Sequence, residues 1–344
     1  MRLHHPAGLR LAIFLSAIAT LQVGCDRSPG ADGIADARLL GAFNATDPAR
    51  SGYKLVFDDE FEDASGINFS QSDDGAPGFR WYARLFAVWG GTTSRPESFS
   101  ISKGVLTIAG GQIGTAAPAR NLLGFVGTTI SNGGYFEARI AFDPATVRFD
   151  PHAPITQTNW WPSFYAMPIE YFTQTAQWPG QAAGFAHFVE DDFFEAWRER
   201  RRYGGTMHDW YGLPGCRTSG TNSGYCDVAN DGGSLSVVGK SFGIKVPDGT
   251  DWRQFHVVGQ LWVSGGSNAN KTGFVQYYFD GRPSTDRVTW RDTSIQGPPP
   301  SGKSAFSILD QDHMVVYIGS PVQTPLKVDW VRIWQLSKET HGTH

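Results

Sequence analysis

Gly134-Tyr135-Phe136-Glu137-Ala138-Arg139-Ile140-Ala141-Phe142 alternates without a break. Phe136, Ala138, Ile140 and Phe142 fall on one side; Tyr135, Glu137 and Arg139 fall on the other. Side chains alternate across a strand, so this stretch reads as a half-buried strand of an antiparallel sheet. The same reading extends outward. Tyr53 to Phe61 begins as a strand and breaks into acidic turn residues. Arg95 to Ile101, a Lys103-Gly104 turn and Val105 to Ile108 read as a hairpin. Trp252 to Val263 and Phe274 to Phe279 read as strands, the second closed by the hairpin turn Asp280-Gly281. Met314 to Gly319 and Leu326 to Trp334 complete the series. Helical periodicity is scarce. Many short strands with turn signals between them predict an all-β sandwich or jelly roll.

The stretch Phe188-Val189-Glu190-Asp191-Asp192-Phe193-Phe194-Glu195-Ala196-Trp197 carries the candidate chemistry. Glu190 and Asp192 share a face of a strand, and a plain strand would turn Glu195 to the back. One bulged residue, Phe193 or Phe194, returns it to the same side. The outer acids then lie about 13 Å apart at Cα, at ~3.3 Å per residue. Two glutamates leaning together approach the ~5–5.5 Å carboxyl separation of a retaining glycosidase. Asp192, between them, would hydrogen-bond either one and tune their pKa values. An acidic patch on a solvated edge strand is the bland alternative. Asp191 falls on the face opposite Glu190, where a carboxylate needs a partner or an edge position.

The 344 residues suffice for one large all-β domain plus trimmings, or for two small domains. Abundant glycine (41) and proline (20), 12 tryptophans and only 18% charged residues suit strands, turns and an aromatic-lined cleft, not a helical bundle. A net charge of −4 offers nothing to nucleic acid. Residues 1–24 read as an export signal, with Arg2, His4, His5 and Arg10 before an apolar run from Leu11 to Val23 that is too short for a comfortable membrane span. Gly24-Cys25 follows it like a bacterial lipoprotein box, in which Cys25 becomes lipidated. This favours an anchored lipoprotein, in the periplasm or at the cell surface, over plain secretion. Residues 25–50 read as a flexible tether, 51–336 as the domain and 337–344 as a tail. Cys216 and Cys226 bracket a Gly/Ser/Thr/Asn-rich stretch, and in an exported chain they are expected to form a disulfide. Arg198, Arg200, Arg201 and Arg202 read as a solvated basic loop or, being close to the acids, as a subsite for an anionic substrate.

Taken together, these motifs resemble glycoside hydrolase family 16, the laminarinases, lichenases, agarases and carrageenases. Leu55 to Phe61 resembles the family's opening strand, Gly134 to Arg139 is similar to its G-Y-F-E-A-R, and Trp161-Pro162-Ser163-Phe164 to its W-P-A-F. Glu190 to Glu195 resembles the bulged form of its catalytic signature, and Val328 to Trp334 its closing strand. The resemblance implies a concanavalin A-like jelly-roll β-sandwich of two antiparallel sheets with a concave substrate cleft. It further implies a retaining endo-β-glycanase acting on a β-glucan or galactan. Glu190 would be the nucleophile, Glu195 the general acid/base, and Asp192 the residue that orients and tunes the pair. His208 resembles the histidine that the family often places near the nucleophile, and Trp89, Trp161 and Trp210 are candidates for stacking on sugars. Asp329 occupies the place of an aspartate that binds structural calcium in some members; no cofactor is required. A monomer with a polysaccharide partner is expected, touching a membrane only through Cys25.

Several positions depart from the family pattern. Asp191 and Phe194 replace an apolar residue and a frequent methionine, and the interval from Trp161 to Glu190 is long. The Cys216–Cys226 loop matches nothing in the pattern. Two other functions use the same fold: a glycan-binding lipoprotein without catalysis, and a transglycosylase.

Overall fold

The computed structural model describes residues 43–84, 93–120, 124–148, 160–170, 186–196, 201–212, 226–227, 243–264, 273–289 and 312–337, with side chains except at 186–188, 208–212, 226–227 and 289. Residues Met1–Phe43 separate from a second unit, Asn44–His344, which contains the strands described below.

In chain order the strands begin with β1 (Tyr53–Asp59), β2 (Ile67–Asn68), β3 (Trp81–Tyr82), β4 (Phe99–Ser102) and β5 (Val105–Ile108). Next come β6 (Gly111–Gly114), β7 (Ala116–Pro118), β8 (Phe125–Gly127), β9 (Gly133–Ala141) and β10 (Ser163–Pro168). They continue with β11 (Ala186–Glu195), β12 (Arg202–Gly212), β13 (Cys226–Asp227), β14 (Ile244–Lys245) and β15 (His256–Val263). The last are β16 (Phe274–Phe279), β17 (Arg282–Pro283), β18 (Val288–Thr289), β19 (Met314–Ser320) and β20 (Leu326–Leu336).

One sheet has the order β17-β16-β15-β9-β20-β5-β4, with β1 also on β20 and β18 on β16. The other has the order β13-β12-β11-β10-β19-β6-β3-β2, with β14 on β12. Pairing among the described strands is antiparallel apart from the two-residue β2–β3 contact, which is parallel. The fold is a jelly-roll β-sandwich of two antiparallel sheets.

The alternating residues explain the stacking. Phe136, Ala138 and Ile140 of β9, Val258 and Trp262 of β15, and Val331 and Ile333 of β20 face inward from the first sheet. Phe164 and Ala166 of β10, Val316 and Ile318 of β19 and Ile113 of β6 meet them from the second. Two hairpins close as their sequences predict. Lys103 and Gly104 have φ of 54° and 71°, and Asp280 and Gly281 have 46° and 72°. Positive φ at both central residues is the tight turn whose twist matches the flanking strands.

Two expectations are corrected. The strand read from Trp252 starts instead at His256. The Asp251 carbonyl accepts from the Gln254 N–H at 2.8 Å and its carboxylate from the Arg253 N–H at 3.2 Å, which folds 251–254 into a turn. Nor is β9 half-buried: Tyr135 and Glu137 are buried on its outward face as well. Tyr135 packs edge-on against Tyr278 at 5.6 Å, and Glu137 accepts a hydrogen bond from Trp334 Nε1 at 2.9 Å. Burial pushes the Glu137 carboxyl up to about 7, against the Trp334 hydrogen bond and the Arg332 charge.

Candidate active site

Two adjacent phenylalanines set the geometry of β11. In a regular strand Phe193 and Phe194 would face opposite ways. Both are instead fully buried in the sandwich core. Phe193 stacks on Phe136 at 4.5 Å and meets Phe164 edge-on at 5.0 Å, while Phe194 contacts Phe142, Tyr203 and Trp252. Burying the second ring contributes about 1.5–3 kcal/mol, which favours a break in the alternation. The break is a bulge visible from both neighbours. Toward β10, Phe194 pairs with Phe164 and Asp192 with Tyr165, leaving Phe193 unpaired. Toward β12, Glu195 pairs with Gly204 and Asp192 with Thr206.

The bulge separates the residues of β11 by face. Val189, Asp191, Phe193 and Phe194 point into the core. Glu190, Asp192 and Glu195 take the outward face of the second sheet. Glu190 is 7% and Asp192 2% exposed, and Glu195 is half-buried. Glu190 and Glu195 pair with His208 and Gly204 of β12, so about 13 Å separates their Cα positions at ~3.3 Å per residue.

The surroundings of the acids are aromatic and polar. Trp161, just before β10, donates from Nε1 to Glu195 Oε1 at 2.6 Å. A donor at that distance fixes the carboxyl rotamer and strengthens as negative charge develops on it. Tyr165 lies across from Asp192 on β10, stacks on Tyr317 of β19 at 5.3 Å, and accepts a hydrogen bond from Gln112 Nε2 of β6. Burial, then the Glu190 carboxylate, pushes the Tyr165 hydroxyl well above its ordinary range, so it stays protonated beside the acids. Tyr317 covers Gly114, where a Cβ would come within 2.5 Å of its ring.

Asp191, the awkward acid of the sequence, has its partner in the opposite sheet: Gln260 Nε2 donates to Asp191 Oδ1 at 2.7 Å. Sequence reading missed Tyr165, Tyr317, Gln112 and Gln260. The alternation Ser163, Tyr165, Met167 on β10 was the available signal for the first. Nothing local pointed to Gln260, which is 69 residues from Asp191.

The other candidates are placed as follows. His208 is opposite Glu190 and Trp210 opposite Phe188 in the β11–β12 register. Trp161 is half-buried with its N–H committed to Glu195. Trp89, Cys25, Cys216, Arg198 and Arg200 lie outside the described residues; Cys226 starts β13. Arg201 is exposed and 3.7 Å from Asp248. Asp329 sits at a bulge of β20 and pairs with Arg139. Among the described residues no group of three or more His, Cys, Asp or Glu could hold a metal ion.

No family model matches the chain, and no curated protein matches it. Solved structures of similar shape include the CBM2 module of the evolved Dit protein of Lactobacillus casei phage J-1, with 9% identity, 84% of this chain and 98% of that one covered, and a TM-score of 0.37. A Parabacteroides distasonis protein described as a candidate glycosyl hydrolase has 9% identity, 75% and 90% coverage and a TM-score of 0.31. Peanut lectin has 10% identity, 83% and 99% coverage and a TM-score of 0.31. At these identities the likeness extends to the β-sandwich alone.

Proposed function

We propose that the chain is a retaining endo-β-glycanase. Glu190 attacks the anomeric carbon of a bound polysaccharide and forms a glycosyl ester, while Glu195 protonates the departing oxygen. Glu195 then takes a proton from the incoming water, whose oxygen displaces Glu190 from the sugar. Asp192, between the two, holds their carboxyls apart in charge and position. Trp161 fixes the rotamer of Glu195.

The observation that carries this reading is the bulge at Phe193. It brings an E-x-D-x-x-E array to one outward face at a Cα spacing that two glutamate side chains can span. A solvated acidic edge would need none of this: β11 lies between β10 and β12, and Glu190 and Asp192 are buried.

Reducing-end release tests the reading, with the full chain offered laminarin, mixed-linkage glucan, agarose and carrageenan. Cleavage of one polymer, reduced at least about 1,000-fold in folded Glu190→Gln, is the expected result. Unchanged cleavage in that variant removes Glu190 from the mechanism. Silence of the folded wild type on every polymer refutes hydrolysis of these glycans and shifts the reading to glycan binding.

A further inference from the structure

The bulge has to stay between Asp192 and Glu195, because one step along β11 turns an acid into the core. We propose that Gln260 and Tyr277 of the first sheet, with Asp191 of the second, form a polar clasp through the sandwich core that holds the bulge in place, making all three positioning residues for the acids. The catalytic half of this proposal rests on the roles given above to Glu190, Asp192 and Glu195.

Four observations meet here. Gln260 and Tyr277 are directly paired across β15 and β16. They grip consecutive residues of β11. Gln260 Nε2 donates to the Asp191 carboxyl at 2.7 Å, and the Tyr277 hydroxyl donates to the Asp192 carbonyl oxygen at 3.1 Å. These two residues immediately precede the bulge, where the strand ladder is interrupted. Finally, the Tyr277 ring passes where β12 carries no side chain: a Cβ on Gly205 would come within 2.5 Å of it.

The clasp lies in surroundings that penalise it. Asp191 and Gln260 are each 0% exposed, amid Phe193, Phe136, Met207 and Ala166 on their own or adjoining strands. An apolar pair would fill this space without a desolvation cost. Moreover, Asp191 Oδ2 and Gln260 Oε1 are buried without a hydrogen-bond partner among the described residues. One proton satisfies both. With Asp191 as a carboxylic acid, Oδ2–H donates to Gln260 Oε1 while Gln260 Nε2 donates to Oδ1, a closed acid–amide pair. The titratable groups around it are the Asp192 carboxyl beside it and the Tyr277 hydroxyl, with Tyr203 beyond. Burial above all, aided by the Asp192 charge, pushes Asp191 well above the usual carboxylate range. The acid form that the paired oxygens call for is thus favoured relative to an ordinary aspartate.

The test compares wild type with Asp191→Asn, Asp191→Leu, Gln260→Leu, Tyr277→Phe and the Asp191→Leu/Gln260→Leu double variant. Each is measured for urea midpoint, amide exchange and, on the polymer that the wild type cleaves, kcat and KM. Asn presents one acceptor and one donor, like the acid, so Asp191→Asn keeps the wild-type kcat. Asp191→Leu speeds exchange in β11 and lowers kcat about 100-fold with little change in KM, as expected for groups displaced by about 1 Å. The double Leu variant leaves no polar group orphaned and regains the urea midpoint, but not kcat. A merely structural role would restore both together, and that result overturns the proposal. Wild-type exchange and kcat in Asp191→Leu would overturn it too. Infrared spectra at neutral pH should show an un-ionised carboxyl band that Asp191→Asn lacks, and its absence refutes the acid–amide form. If the wild type cleaves nothing, the glycanase reading is what fails. Exchange then judges the clasp by itself: acceleration confined to β11 supports it, and uniform acceleration refutes it.

Discussion

Deleting Phe193 should leave the three acids on their face. Without it the inward residues of β11 are Asp191 and Phe194 and the outward ones Glu190, Asp192 and Glu195, an uninterrupted alternation. Glu195 keeps its place opposite Gly204, so the Glu190–Glu195 span is unchanged. The loss is in the core. Removing a fully buried phenylalanine costs about 3–5 kcal/mol, and the ring contacts with Phe136 and Phe164 account for roughly 1–3 of that. Closing the bulge restores ladder hydrogen bonds at about 1 kcal/mol each. The net destabilisation is therefore about 2–4 kcal/mol, a large share of the ~5–15 typical of a domain. Inserting an alanine between Phe194 and Glu195 changes the length by the same single residue. It turns Glu195 inward, where an unpaired carboxylate is strongly disfavoured. Urea unfolding followed by tryptophan fluorescence measures the first quantity, and reducing-end release from the folded proteins measures the second. Activity surviving the deletion and lost on insertion is the expected pattern. A folded deletion variant as inactive as Glu190→Gln, or one as stable as the wild type, would refute the account of the bulge.

Two predictions concern pH. His256 Nδ1–H donates to Asp280 Oδ2 at 2.9 Å, and this hydrogen bond, against partial burial, raises the His256 pKa from its ordinary 6.5. A raised histidine contributes stability that is complete below its unfolded pKa and lost as pH rises through the folded one. The urea midpoint of the wild type, relative to that of His256→Gln, should fall as pH rises from 6.5 through the raised folded pKa; a constant difference would refute the coupling. Glu137 is shifted the opposite way from a paired surface acid, its folded pKa of about 7 lying above the ordinary 4.5 because burial outweighs its partners. The folded state then loses stability as pH rises from 4.5 to 7, so Glu137→Gln should be nearly neutral at about pH 4 and stabilising at about pH 8 by thermal melting. The same difference at both pH values would refute it.

The acids and their bulge were legible because both are local. Four carboxylates and two phenylalanines in six consecutive residues allow only a few arrangements, and period-two reasoning narrows them to a bulge at Phe193 or Phe194. Pairing to β10 selects Phe193. Alternation in Gly134 to Phe142 likewise identified a strand, but it reports which way a side chain faces and not what covers it. Trp334 and Tyr278, far along the chain, bury Glu137 and Tyr135. The start of β15 was misread because Trp252 and Phe255 have the composition of a strand, while the Asp251 side chain that folds the turn leaves only a weak signature. Gln260 was invisible as the partner of Asp191, because no pattern along one strand specifies a hydrogen bond across the sandwich.

The first and last strands of the sandwich are neighbours: Tyr53 of β1 pairs with Leu336 of β20, and β20 also lies between β9 and β5. A central strand of one sheet is thus made after every other described strand. At ~5–20 residues per second, β1 waits on the order of tens of seconds for its partner. Once made, β5 and β9 present unpaired edges toward the vacant position until β20 follows. The hairpins at Lys103-Gly104 and Asp280-Gly281 are short-range enough to form as they are made. The first sheet is not, so its assembly is a closing event that awaits β20.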